Sequence, residues 1–149
     1  MRHDSPLVLI VDDDEHIREL LRTRLELDGL KTASARDGVE ALNMLAIRRP
    51  AGMVLDVSMP RMDGFQLLES LRRTNRLPPP TLMLTARNAT EDVQRAIGLG
   101  AKDYMAKPFD DQLLLRRVRR LLRSPALQAG ATSTPEPSPS AARGEELFL

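Results

Sequence analysis

Three short stretches, Leu7 to Val11 (LVLIV), Gly52 to Leu55 (GMVL) and Thr81 to Thr85 (TLMLT), lack the polar alternation of a half-exposed strand. Such runs suit strands covered on both faces, as in a parallel sheet. Lys31 to Ala35 (KTASA) and Lys102 to Ala106 (KDYMA) are weaker strand candidates and bring the set to five. Between them the apolar positions change to helical spacing. Ile17, Leu20, Leu21 and Leu25 mark a first helix stopped by Gly29; Val39, Leu42, Leu45 and Ala46 a second, ended before Pro50. Phe65, Leu68 and Leu71 mark a third, Val93, Ala96 and Ile97 a fourth, and Leu114, Val118, Leu121 and Leu122 a fifth. Five strand-helix units with right-handed crossovers predict an α/β fold: a doubly wound five-stranded parallel sheet with five helices.

In such sheets ligands bind at the carboxyl ends of the strands, near the topological switch point. The predicted strand ends carry Asp12 and Asp13, Asp56, Thr85, and Lys107 followed by Pro108. Three carboxylates, a hydroxyl and an ammonium therefore converge on one edge. Two carboxylates about 4 Å apart repel by roughly 4 kcal/mol at an effective dielectric near 20, so the crowding requires a compensating cation. Asp14 and Glu15 are a separate matter: they open the first helix, where carboxylates cap free N–H groups and meet the positive end of the helix dipole. Oxygen donors without histidine or cysteine suit a hard cation, Mg²⁺ first, with Mn²⁺ as the alternative. With the cation bound, one carboxylate can attack phosphorus while Thr85 and Lys107 hold the phosphoryl oxygens, giving an aspartyl phosphate.

The pieces "VDDD" after the first strand, "LDVSMPRMDG" around Asp56, "LTA" ending in Thr85 and Ala86, and "GAKDYMAKPF" through Lys107 stand in order and register. In them the chain resembles the receiver domains of two-component response regulators, over residues 7 to 123. The resemblance implies the flavodoxin-like strand order 2-1-3-4-5 and Asp56 as acceptor of phosphate from a histidine kinase. It further implies that Asp13, Asp56 and the backbone carbonyl of Ser58 bind Mg²⁺ directly, that Asp12 acts through metal-bound water, and that Lys107-Pro108 is cis. Phosphorylation adds about two negative charges at one spot. Thr85 would then move towards the phosphoryl group and Tyr104 would turn inward behind it, biasing the face of the fourth helix, fifth strand and fifth helix. Autophosphorylation from small donors and self-hydrolysis are implied too, as switch chemistry rather than enzyme activity. The partners implied are a cognate histidine kinase or phosphotransfer protein, a downstream effector, and a second copy on phosphorylation.

Composition narrows this picture. With 149 residues, 42% of them hydrophobic, the chain supports one core. The net charge of +1 does not call for nucleic acid, and with no cysteine there is no thiolate chemistry or disulfide. No apolar run approaches the roughly 18 residues of a membrane helix and the N-terminus lacks a signal segment, so we expect a cytoplasmic protein. Residues 1 to 123 carry 21 basic and 18 acidic residues, a net +3. Residues 124 to 149 carry Arg143 against Glu136, Glu145 and Glu146, a net −2, with four prolines and little to bury; they read as a disordered tail or linker.

The bland readings hold for the remaining features. His3 and His16 fit no ligand spacing, and the methionines fill core gaps, with Met59 and Met62 flanking the loop after Asp56. The arginines of the fifth helix, Arg116, Arg117, Arg119, Arg120 and Arg123, read as a solvated face and not a nucleic-acid surface, because no aromatic residues are interleaved. Arg95, Asp103 and Arg117 match the ion-paired dimer face of receivers attached to winged-helix domains, but Val93 and Leu113 stand where a basic and an acidic residue are expected. Leu113, off the Leu114-Val118-Leu121 stripe, is expected to be exposed and to give that face an apolar contact for a partner. Two other readings compete with the signalling switch. One is a Mg²⁺-dependent phosphohydrolase with an aspartyl nucleophile, disfavoured because Ser58 stands where its general acid belongs. The other is the N-terminal fragment of a DNA-binding response regulator.

Overall fold

The computed structural model describes residues 5–86 and 90–123. Its elements alternate without exception: β1 Leu7–Val11, α1 Glu15–Leu27, β2 Lys31–Ala35, α2 Gly38–Leu45, β3 Gly52–Asp56, α3 Gly64–Arg73, β4 Thr81–Thr85, α4 Thr90–Gly98, β5 Asp103–Ala106 and α5 Asp111–Leu122. All strand pairings are parallel and the order is β2-β1-β3-β4-β5, the flavodoxin-like order. The expected tail, 124 to 149, lies outside the described residues.

Strand alternation divides the core in two. Val8 and Ile10 of β1, with Val54, Leu82 and Leu84, face α1 and α5, where Leu21, Leu25, Leu114, Val118 and Leu121 complete the layer. Leu9 and Val11, with Met53, Leu55 and Met83, face α2, α3 and α4 and meet Ala41, Phe65, Leu67, Leu68, Leu71 and Ala96. Both faces of β3 and β4 are buried throughout, which is why those runs show no polar alternation. Aspartates start the helices: Asp14, Asp37, Asp63 and Asp110 cap α1, α2, α3 and α5 by accepting from first-turn N–H groups, and Asp63 forms a reciprocal capping box with Gln66. Gly29, at φ 91°, follows the end of α1, as its position after the periodic run predicts. Among the described residues no helix is long and apolar enough to cross a membrane.

The departures from expectation are local. In α2 the face turned inward is Gly38 and Ala41, while Val39 is exposed; in α4 only Ala96 is buried, and Ile97 is 59% exposed. Leu113 is half-buried, not exposed: it packs with Phe109 against the α1/α5 core layer. A helical side chain leans towards the preceding turn, so the apolar arc of α5 widens at its first turn beyond the stripe that starts at Leu114.

Candidate functional site

The chain leaves β1 for β2 on one side and reaches β3 on the other, so the carboxyl ends of β1 and β3 flank a switch-point crevice. Asp12 follows β1 and Asp56 ends β3; their strands pair at Val11 and Leu55. Asp12, Asp13 and Asp56 each present a carboxylate oxygen within 4.8 Å of the others. Asp12 and Asp56 are buried, at 1% and 4% exposure, while Asp13 is exposed at the mouth. The Asp14 N–H donates to Asp12 Oδ1 at 2.9 Å and Arg18 Nη1 donates to the Asp12 carbonyl at 2.7 Å, so the turn into α1 fixes this carboxylate. The same turn makes Asp14 a cap, accepting from His16 N–H at 2.8 Å and Ile17 N–H at 3.3 Å.

Lys107 arrives from the far end of β5. Its Nζ lies 2.9 Å from Asp12 Oδ2 and 3.3 Å from Asp56 Oδ1. Its backbone N–H donates to the Thr85 carbonyl at 2.7 Å, and the following peptide, Lys107-Pro108, is cis. Thr85 is fully buried at the end of β4 beside Ala106. The five strand-end residues picked from the sequence thus come together on one edge. Burial, and then the charge of Asp12, raise the Asp56 pKa from 3.8 to about 6 despite the opposing pull of Lys107. For Lys107 burial acts downward, but the hydrogen bond and charge of Asp12, and then Asp56, outweigh it and the pKa rises. The amine therefore stays protonated between two carboxylates.

The loop after β3 is pinned on both sides. Val57 N–H donates to the Leu84 carbonyl at 3.0 Å and Gly64 N–H to the Val57 carbonyl at 2.9 Å. A Cβ on Gly64 would come within 2.5 Å of the Asp56 carbonyl oxygen, so α3 can approach the strand end only through a glycine. Ser58 is exposed within this loop, and Met59 and Met62 are half-buried against the core. A brace that sequence reasoning missed reaches the loop from α2. Arg61, at φ 68°, donates through Nε at 3.1 Å and Nη2 at 2.5 Å to the buried carboxylate of Asp37. Asp37 before Gly38 reads as a helix cap, but nothing local joins it to a residue 24 positions away.

Tyr104 is half-buried on β5 and packs against the α2–α4 core layer. The remaining residues selected as a partner face divide. Arg117 donates to Asp103 at 2.8 Å, and Arg95 pairs with Glu69 at 3.3 Å while its guanidinium sits 4.4 Å from the Phe65 ring centroid. Val93 and Leu113 are half-buried.

The donor set fits a hard divalent cation: three convergent carboxylate oxygens with no nitrogen or sulfur ligand beside them. Fold and site together define a class, a small doubly wound domain whose switch-point crevice gathers a donor set suited to such a cation. The family model "response regulator receiver domain" matches residues 8–119. The chain belongs to that family, the receiver domains of two-component systems. Among curated relatives, it is 46% identical over 119 residues to the response regulator MprA of Mycobacterium bovis, covering 80% of this chain and 51% of that protein. To MprA of Mycobacterium avium it is 47% identical over 116 residues, covering 78% and 50%. The chain spans about half the length of the curated relatives it matches. Among solved structures, the receiver domain of Francisella response regulator 1452 superposes with a TM-score of 0.75 at 36% identity, covering 80% of this chain and 98% of that one. Vibrio cholerae CheY4 gives 0.73 at 33%, covering 78% and 98%.

Proposed function

We propose that Asp56 is the phosphoacceptor of a phosphorylation-driven switch and that a histidine kinase or phosphotransfer protein is its donor. The observation that carries this is the Lys107 ammonium held between buried Asp12 and Asp56, with Asp13 at the mouth. A pKa of about 6 keeps Asp56 mostly ionised at neutral pH. Its oxygen then attacks phosphorus; the P–O bond forms as the P–N bond of the donor phosphohistidine breaks, and the electron pair leaves with the imidazole. Lys107 would pass from the Asp56 carboxylate to a phosphoryl oxygen, which a flexible ammonium can do more readily than a guanidinium fork. Thr85 would donate to another.

Asp13 and Asp56, with the Ser58 carbonyl, would hold Mg²⁺, and Asp12 would act beside them. A cation held there would supply positive charge to offset that on the transferring group. Departure of Lys107 from the Asp56 carboxylate and movement of Thr85 would be read by Tyr104 and by the α4, β5 and α5 face carrying Val93, Arg95, Leu113 and Arg117, for an effector or a second copy. Moving such a switch from 1% to 99% active takes about 5.5 kcal/mol of differential interaction. The chain would also accept phosphate from small donors and hydrolyse it slowly. Receiver domains are generally phosphoacceptor switches, which disfavours the phosphohydrolase reading.

The test is incubation with Mg²⁺ and acetyl phosphate followed by intact mass, with beryllofluoride in parallel. The wild type is expected to gain one phosphoryl group, and Asp56→Asn none. A wild type that neither gains phosphate nor binds beryllofluoride would sink the assignment.

A further inference from the structure

At the opposite edge of the sheet from the carboxylates, the loop after α2 and the loop after α3 enclose a groove of about 730 Å³. Its rim carries two of the most exposed apolar side chains of the fold, Ile47 at 82% and Leu77 at 94%. Arg48 and Arg49 are exposed beside them, and Arg76 is half-buried. None of these three arginines takes part in an ion pair among the described residues. An apolar patch ringed by unpaired cations is complementary to a segment that couples acids to large apolar residues.

This chain carries such a segment. Glu145-Glu146-Leu147-Phe148-Leu149 sets two acids before three large apolar residues, in a stretch otherwise rich in Pro, Ser and Ala. Phe148 is one of three phenylalanines, and the other two, Phe65 and Phe109, are packed within the fold. The end of α5 lies at the same edge as the groove. Leu121 and Leu122 lie against Gly52, where a Cβ would meet their side chains at 3.4 and 3.0 Å and the Pro80 carbonyl at 3.6 Å. Pro50 and Pro79, next to those positions, line the groove. A coil of 22 residues, the separation of Arg123 and Glu145, would span about 26 Å, ample for a groove on the same edge. Tethering at that length corresponds to a local concentration in the millimolar range, enough to populate a small contact that free peptide would not sustain.

We infer that Glu145 to Leu149 docks in this groove on its own chain, with Leu147 and Phe148 against Ile47 and Leu77 and the two glutamates against Arg48, Arg49 and Arg76. The far edge of the domain would then be covered independently of the phosphoacceptor crevice. The inference stands whether or not Asp56 is phosphorylated.

Because the chain has no cysteine, Ser140→Cys gives a single attachment point for a nitroxide in the 149-residue chain. Amide signals of Ile47, Arg48 and Leu77 are expected to lose most of their intensity. That loss should be abolished by Leu147→Ser with Phe148→Ser and Leu149→Ser, and reduced by Arg48→Glu with Arg49→Glu. The triple variant leaves every residue of the described core unchanged, and an unchanged amide spectrum of residues 5–123 shows that it folds. Broadening that avoids these residues, or survives the triple variant, would overturn the inference. Broadening of an isotope-labelled chain by a separate spin-labelled one would overturn it also, by making a second copy the occupant.

Discussion

Helices α3 and α4 are sequence neighbours of similar length, yet they are attached to the sheet very differently. Helix α3 buries Gly64, Phe65, Leu67, Leu68 and Leu71, starts in a capping box, and is preceded by a loop braced through Arg61 to Asp37. Helix α4 buries Ala96 alone and leaves Ile97 exposed. Helix α3 is thus anchored at the end of β3 where Asp56 stands, whereas α4, with one buried residue, has the sparse packing of a locally less stable segment. The largest expected contrast follows from side-chain truncation. Phe65→Ala should cost about 3–5 kcal/mol, including loss of the ring under Arg95. Ile97→Ala should stay within about 0.5 kcal/mol. Urea unfolding of both variants at unchanged slope checks this, and similar costs would break the comparison.

Glycines at the two helices sharpen it. A methyl group at Gly64 would meet the Asp56 carbonyl at 2.5 Å and the Met83 side chain at 3.0 Å, so Gly64→Ala must push α3 away from the strand end. We expect a loss of about 1–3 kcal/mol and weaker Mg²⁺ binding by titration calorimetry. At Gly98, which ends α4, a methyl group meets nothing within 4 Å. Gly98→Ala should therefore stabilise by about 0.4–1 kcal/mol through the unfolded chain, with Mg²⁺ affinity unchanged.

The contrast also marks where sequence was readable. Strands β1, β3 and β4 were legible because burial on both faces leaves no polar interruption, and the strand-end acids because crowded charge demands a use. Helix α3 was legible from Phe65, Leu68 and Leu71, since deep burial writes a clean period. Helix α4 was misread at Ile97 and α5 at Leu113, because a loosely packed or curved face need not follow its stripe. The Asp37–Arg61 brace and the groove beside Ile47 and Leu77 were invisible, since each joins segments that only the fold brings together. What Lys107 does was half legible: its place after β5 was evident, but its contact with both Asp12 and Asp56 depends on β4 lying between β3 and β5.

Two carboxylates on the braced side carry opposite signs of stability, and pH separates them. Burial and Asp12 raise Asp56 to about 6, so its ionised form opposes folding. Above pH 6 the cost is full, because folded and unfolded chains are both ionised. As pH falls through 6 the folded chain takes up a proton that the unfolded chain binds only near 3.8, and the cost disappears. The shift corresponds to at most about 3 kcal/mol, and water at the open mouth reduces it, so Asp56→Asn in chelator at pH 8 should gain about 1–2 kcal/mol. Asp37 behaves inversely. Its hydrogen bond from the Glu40 N–H, aided by Arg61, lowers its pKa against the opposing effect of burial. Its contribution is therefore present above pH 3.8 and lost as pH falls through its lower folded value. Asp37→Ala should cost about 0.5–2 kcal/mol at neutral pH. Urea midpoints from pH 4 to 8 should show the Asp56→Asn advantage shrinking towards acid while the Asp37→Ala deficit persists. Parallel pH profiles for the two variants would mean that the crevice repulsion is already relieved without a cation.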